Sequence, residues 1–230
     1  RIRFWTVLGI SQLLCGLALV FILVLLIHFG KGFGWRNDPR QFSFHPFFMI
    51  LGFIIFYTQA SLVYRTFPHV AKPKLKLIHL TLQVLSLIFI VIGLVSVFDA
   101  YGMYPKMTSL HSWVGMGTVV LFCCQLLFGF LTFLIPRTPQ SIRTHYLPIH
   151  TFFGSAIFLM AVASCLLGFM RFVEFNKSTY SNFSPGGVLV NCLGLVLILL
   201  AMCVTYLLVS NEYKRQPRAE DQQRIVVNIT

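Results

Sequence analysis

The chain has 230 residues, of which 57% are hydrophobic and only 10% charged, with a formal net charge of +12. A water-soluble domain carries about a quarter charged residues, so that class is excluded. The basic excess raises nucleic acid as a partner, but the basic residues flank apolar stretches. That pattern points to membrane topology and an anionic substrate, and to no nucleic acid.

Charge-free intervals run from Arg3 to Lys31, Arg40 to Arg65, Lys76 to Asp99, Lys106 to Arg137, Arg143 to Arg171 and Lys177 to Glu212. Each exceeds the roughly 20 apolar residues that cross a hydrocarbon core. They predict an all-α membrane protein with six transmembrane helices. In chain order these run from about Trp5 to His28, His45 to Tyr64, Leu77 to Phe98, Leu110 to Ile135, Pro148 to Met170 and Val188 to Ser210. The first is too long and too rich in Leu and Val for a cleaved signal peptide. Residues 1–210 read as one transmembrane domain, and 211–230 as a cytoplasmic polar tail without fixed structure.

With the N-terminus inside, twelve of the 18 basic residues fall on the cytoplasmic side, among them Arg3, Arg65, Lys72, Lys74, Lys76, Arg137 and Arg143. The excess of inside positive charge places both termini in the cytoplasm. Asn176 and Asn182 head glycosylation sequons in the loop this assigns to the outside. The six cysteines all lie in predicted spans, so a disulfide framework is not expected. The absence of CxxCH excludes covalent c-type haem attachment.

Four histidines fall one per helix: His45, His79, His111 and His150. An ionisable residue inside a bilayer is costly and is a functional candidate by default. The topology sets His45 and His111 at the outer ends of their helices and His79 and His150 at the inner ends. They therefore form two pairs at two depths, on the order of 20 Å apart across a core about 30 Å thick. His28, His69 and His145 lie at a helix end or in loops and read as solvated or interfacial.

Two histidines leave a zinc ion two ligands short. All six acidic residues lie outside the spans, whereas a cation transporter wants membrane carboxylates. Haem b needs two axial ligands only, and its propionates want Arg or Lys near the surface. Gly115 and Gly154 each follow a histidine by four residues. That spacing either leaves room for a flat macrocycle or serves helix packing.

The segments Phe44-His45-Pro46, Ala60-Ser61-Leu62-Val63-Tyr64-Arg65, Leu77-Ile78-His79, Ser109-Leu110-His111-Ser112-Trp113 and Pro148-Ile149-His150 carry a resemblance. Across nearly its whole length the chain resembles the cytochrome b561 family of transmembrane ascorbate-dependent oxidoreductases. The resemblance implies a central four-helix bundle holding two non-covalent, bis-histidine b haems. It pairs His45 with His111 and His79 with His150, as depth does. It implies cytoplasmic ascorbate as donor, bound by Lys72, Lys76 and Arg143. It further implies haem contacts at Arg65, Lys106, Met107, Thr108, Ser109 and Lys214, and an outer substrate near Phe98 and Tyr101. The acceptor would be monodehydroascorbate or a ferric chelate, making the protein a ferric or monodehydroascorbate reductase. Family members occupy secretory-vesicle, endolysosomal and plasma membranes and are often homodimers.

The chain departs from the family pattern in places. Tyr101 stands where some members have a histidine that can meet metal, Thr108 where tyrosine is usual, and Arg171 where glutamate is frequent. These departures bear on the outer loop and leave the four histidines untouched. Three rival readings stand beside this one: a di-haem reductase with a quinol donor, a histidine-gated metal transporter, and a receptor-like membrane protein with incidental histidines.

Overall fold

A computed structural model of the chain describes residues 2–36, 38–175 and 183–216. Six helices are long and apolar enough to cross a membrane, and no strand occurs among the described residues. They are α1 (Ile2–Phe29), α2 (Pro39–Thr66), α3 (Lys72–Tyr101), α4 (Leu110–Phe133), α5 (Gln140–Phe175) and α6 (Pro185–Val209). The protein is an integral, multi-pass membrane protein. Inside a bilayer every backbone polar group must bond within the chain, and uninterrupted helices achieve this.

Four of the six helices, α1, α2, α3 and α5, begin or end beyond the charge-free intervals, while α4 and α6 stay within theirs. α3 starts at Lys72 instead of Leu77, and α5 starts at Gln140 instead of Pro148. Charge marks the hydrocarbon boundary, while a helix continues through the headgroup layer. Pro73 sits in the first turn of α3, where its missing N–H costs nothing. Pro148 lies inside α5. Ser109 caps α4 by accepting the Ser112 N–H at 3.3 Å, and Ser184 caps α6 by accepting the Gly187 N–H at 3.2 Å.

α2 is not a uniform helix. It opens with a 3-10 turn over Pro39–Ser43, continues as α-helix over Phe44–Met49, widens to a π-helical stretch over Ile50–Phe56, and resumes as α-helix over Tyr57–Thr66. The widened stretch packs tightly on α3. A Cβ on Gly52 would lie 2.9 Å from the Ser86 carbonyl oxygen, and the Ser86 hydroxyl donates to the Gly52 carbonyl at 2.8 Å. Such π segments recur at functional sites.

α2 packs on α3, α4 on α5, and α1 on α6. The α2–α3 and α4–α5 hairpins approach one another much less closely than the helices within each, and α3 and α4 barely touch. At mid-height the space between hairpins is filled by aromatic side chains. Phe53 and Tyr57 come from α2, Phe122 from α4 and Phe158 from α5, all buried. Tyr57 stacks on Phe158 at 6.1 Å and 14°, and Phe53 meets Phe122 edge-on at 5.5 Å. α1 and α6 lie to one side and seal an apolar seam that includes Ala18, Ile22, Leu193, Leu197, Leu200 and Val204.

Phe4 meets Tyr213 at 5.3 Å, so both ends of the described chain lie at one end of the bundle, here the near end. The first residues of the predicted tail belong to the fold. Asn211–Tyr213 form a 3-10 turn, and Tyr213 is buried. The sequons at Asn176 and Asn182, and the tail from residue 217 on, lie outside the described residues.

Candidate functional site: two histidine pairs between helical hairpins

Each histidine pair bridges the gap between hairpins. His45 of α2 faces His111 of α4 at the far end, with ring centres 5.9 Å apart and planes at 88°. His79 of α3 faces His150 of α5 toward the near end, at 6.3 Å and 67°. Along α3, His79 and the Gly93 carbonyl that anchors His45 are roughly 21 Å apart at about 1.5 Å per residue. The aromatic layer lies between the two pairs.

Three of the rings are oriented by backbone. Nδ1 of His45 donates to the Gly93 carbonyl at 3.1 Å, Nδ1 of His79 to Ala60 at 2.7 Å, and Nδ1 of His111 to Ser164 at 2.9 Å. A carbonyl can only accept, so Nδ1 carries the proton and Nε2 keeps its lone pair. A histidine metal ligand needs that arrangement, and the second hydrogen bond fixes its ring.

Glycines admit the rings. A Cβ on Gly168 would lie 3.0 Å from Cε1 of His111, and one on Gly129 would lie 2.8 Å from Cε1 of His150. Gly115 and Gly154 serve packing between α4 and α5. A Cβ on Gly115 would lie 3.0 Å from the Ser164 hydroxyl, and one on Gly154 would lie 3.5 Å from the Gln125 amide nitrogen. The arrangement repeats: His111, Gly115, Ser164 and Gly168 have the same mutual spacing as His150, Gly154, Gln125 and Gly129. Antiparallel α4 and α5 thus present similarly spaced histidine niches at two heights, of which only that of His111 anchors the ring Nδ1.

The donor set fits an axially ligated haem. Two bonds of about 2 Å from a metal to imidazole nitrogens, extended by the ring radii, put the ring centres of an axial pair about 6 Å apart. Both pairs meet this. Among the described residues no three of His, Cys, Asp and Glu group as a metal site. Each pair offers two donors only, which suits a metal that brings its other ligands with it.

The near end gathers the basic residues singled out by sequence. Lys76 donates to the carbonyl of Phe133 at 2.8 Å, the last residue of α4. Arg143 donates to the carbonyls of Ile135 at 2.8 Å and Pro136 at 3.2 Å. Lys76 lies close enough to Lys72 and Arg143 to feel both charges. The three therefore cluster at the negative end of the α4 dipole. Arg65 donates to the carbonyls of Leu208 and Ser210, closing the C-terminus of α6, with Ser210 at 2.7 Å. Lys214 is exposed in the segment after α6. Tyr64 has its ring 5.9 Å from that of His79.

At the far end Lys106 lies over the ring of Phe98, 5.7 Å from its centre. Tyr101 is connected to the histidine pair through Phe42, whose ring is 6.5 Å from Tyr101 and 6.1 Å from His45. Met107 adopts a left-handed φ of 59°, and its carbonyl accepts the Trp113 indole N–H at 2.9 Å. Thr108 is exposed beside Ser109, the α4 cap. Gln41 joins α2 to α3 by donating to the Asp99 carboxylate at 2.5 Å. In the preceding loop the Arg40 guanidinium beside Asp38 lowers its carboxyl to about 2.

Sequence reasoning found the four histidines and missed what holds them. Ala60, Gly93 and Ser164 act through backbone carbonyls, which any residue supplies. Gly129 and Gly168 lie on the helix facing the histidine they admit, where spacing along one helix gives no signal. Tyr57 and Gln125 sit inside apolar spans, where neither charge nor spacing marks them.

A sequence profile described as eukaryotic cytochrome b561 matches residues 44–176, more than half of the chain. The chain is 42% identical over 216 residues to the Homo sapiens transmembrane ascorbate-dependent reductase CYB561, covering 92% of this chain and 85% of that one. It is 34% identical over 214 residues to the Rattus norvegicus plasma membrane ascorbate-dependent reductase CYBRD1, covering 90% and 74%. It is also 34% identical over 221 residues to the Bos taurus lysosomal membrane ascorbate-dependent ferrireductase CYB561A3, covering 92% and 83%. With its histidine pairs and these relatives taken together, the chain belongs to the eukaryotic cytochrome b561 family.

Proposed function

We propose that the protein is an ascorbate-dependent oxidoreductase that carries electrons across its membrane, from cytoplasmic ascorbate to an acceptor on the opposite side. The observation that carries this reading is the pair geometry: two histidine pairs at two heights, each about 6 Å between ring centres, bridging the two hairpins on either side of the aromatic layer. His45 with His111, and His79 with His150, would each hold one b haem, and each haem when bound would supply a one-electron carrier.

The chain's own residues perform the remaining tasks. The near end takes the cytoplasmic side, because its loops hold the basic excess. Lys72, Lys76 and Arg143 attract the ascorbate monoanion and hold it beside the His79–His150 pair. Arg65 and Lys214 add positive charge for propionates at that end. Tyr64 borders His79 and is a candidate to take the proton that ascorbate loses on oxidation. Phe98 and Tyr101 border the acceptor at the far end, with Lys106 supplying charge for monodehydroascorbate or a ferric chelate. Met107, Thr108 and Ser109 lead into α4 ahead of His111. The aromatic layer excludes water between the pairs. A second copy of the chain and the surrounding lipid are the expected assembly partners.

The experiment is reconstitution. Vesicles loaded with ascorbate and carrying the protein should reduce an external, impermeant ferric chelate, and His79→Ala should abolish this transfer. Reduction by a quinol but not by ascorbate would transfer the donor role to the lipid phase.

A further inference from the structure

The His150 ring is held differently from the other three. Its Nδ1 is buried and has no hydrogen-bond partner among the described residues. The ring is confined by Gly129, by Phe133 at 5.2 Å and by Tyr146 at 6.0 Å, none of which fixes its rotation through a hydrogen bond. The backbone beneath it is held instead. The Gln125 amide of α4 donates to the His150 carbonyl at 2.5 Å, and the Tyr57 hydroxyl of α2 donates to the Gly154 carbonyl at 2.8 Å. A Cβ on Gly154 would lie 3.5 Å from that amide nitrogen and 4.0 Å from that hydroxyl oxygen. Two polar groups from different helices thus converge on the bare face of one glycine, a single turn from His150.

We propose that Tyr57 and Gln125 are positioning residues for the near-end pair: they fix the α5 turn that carries His150 and, through it, the attitude of the imidazole. A ring whose Nδ1 is anchored keeps its orientation when its helix shifts slightly. A ring without that anchor takes its orientation from its Cα. The far-end pair does not depend on this clamp, because His45 and His111 are both anchored at Nδ1. Removing the hydroxyl or the amide leaves helical carbonyls that can still accept their own intrahelical N–H, so the fold is little affected and the change stays local. The axial geometry of the near-end haem, and with it the potential of that haem, should respond alone. The proposal rests on the haem reading of the pair.

The test uses full-length parent protein, Tyr57→Phe and Gln125→Met, purified in detergent. Each is assayed for haem per chain, by electron paramagnetic resonance of the low-spin ferric signals, and by redox titration that resolves the two haems. The same substitutions are repeated in a His45→Ala background, which removes the far-end haem and identifies the remaining signal. The expected result is two haems per chain in both single variants. The near-end signal and midpoint move, and the far-end signal and midpoint stay at parent values. Selective loss of the near-end haem is the same result in stronger form. Parent values at both haems, or equal displacement or loss of both, overturns the proposal and leaves the haem reading intact. A parent protein without haem overturns the reading itself, and the proposal with it.

Discussion

Gly129 stands so close to His150 that a single methyl group added there would lie 2.8 Å from Cε1 and 3.2 Å from Nδ1 of the ring. Real Cβ atoms do not approach a ring that closely, so Gly129→Ala must displace the imidazole or push α4 from α5. Overpacking of this kind costs about 1–3 kcal/mol. Gly168→Ala should act more mildly on His111, where the distance is 3.0 Å and the ring must give by a few tenths of an ångström. The expected outcome is loss or spectral change of one haem in each variant, near-end for Gly129→Ala and far-end for Gly168→Ala. Gly9→Ala, where nothing lies within 4 Å, should leave both as they are. Haem content and the ferric low-spin spectrum check all three.

The aromatic layer gives a stability prediction. Phe122 is fully buried, with Phe53 and Tyr57 on its flanks at 5.5 Å and 5.7 Å. Phe122→Ala should destabilise the protein by about 3–5 kcal/mol through lost burial and the cavity left behind. Phe122→Leu should cost clearly less. Thermal unfolding in detergent, followed by loss of secondary structure, measures both.

Lys76 has two roles that one substitution can separate. Its hydrogen bond to the Phe133 carbonyl supports the end of α4, and its charge adds to those of Lys72 and Arg143. Lys76→Gln keeps a donor but removes the charge. Stability should change by less than about 1 kcal/mol. The rate of reduction by ascorbate should fall several-fold, mainly through a higher KM, and should become less sensitive to ionic strength. Stopped-flow reduction at two salt concentrations checks this. An unchanged KM would remove Lys76 from the donor site.

Asp38 offers a titration in the far-end loop. Its carboxyl is held down to about 2 by hydrogen bonds and charge from Arg40, whose Nη2 lies 2.6 Å from Oδ2. A depressed carboxyl contributes its stabilisation above its ordinary value of 3.8 and loses it as pH falls toward about 2. The loop contact should therefore persist throughout the physiological range and weaken only in strong acid. Arg40→Gln should raise the midpoint toward 3.8, as read from the carboxyl carbon shift of labelled Asp38.

The sequence made the helices and the four histidines readable for a physical reason. Excluding charge from the hydrocarbon writes each span as a gap between Arg, Lys, Asp and Glu, and a histidine inside such a gap stands out. Helix ends were less readable, because Lys72 and Gln140 begin helices in the headgroup layer, where charge is tolerated. The 3-10 and π segments of α2 leave no periodic mark. The anchors of the rings were hidden because Ala60, Gly93 and Ser164 contribute only main-chain oxygen. Gly115 and Gly154 were legible as small residues on the histidine face, but their neighbours belong to the opposite helix. Lys76, Arg143 and Arg65 were visible as basic residues, while the carbonyls of Phe133, Ile135 and Leu208 that they meet depend on how the helix ends come together.

The most direct test of the central claim is the visible spectrum of the purified protein, with haem quantified per chain, before and after addition of ascorbate. The account predicts two b haems per chain, a sharp reduced α-band on adding ascorbate, and one haem fewer in each single alanine variant of His45, His79, His111 and His150. A colourless protein, or one whose haem content is unaffected by all four substitutions, would contradict it.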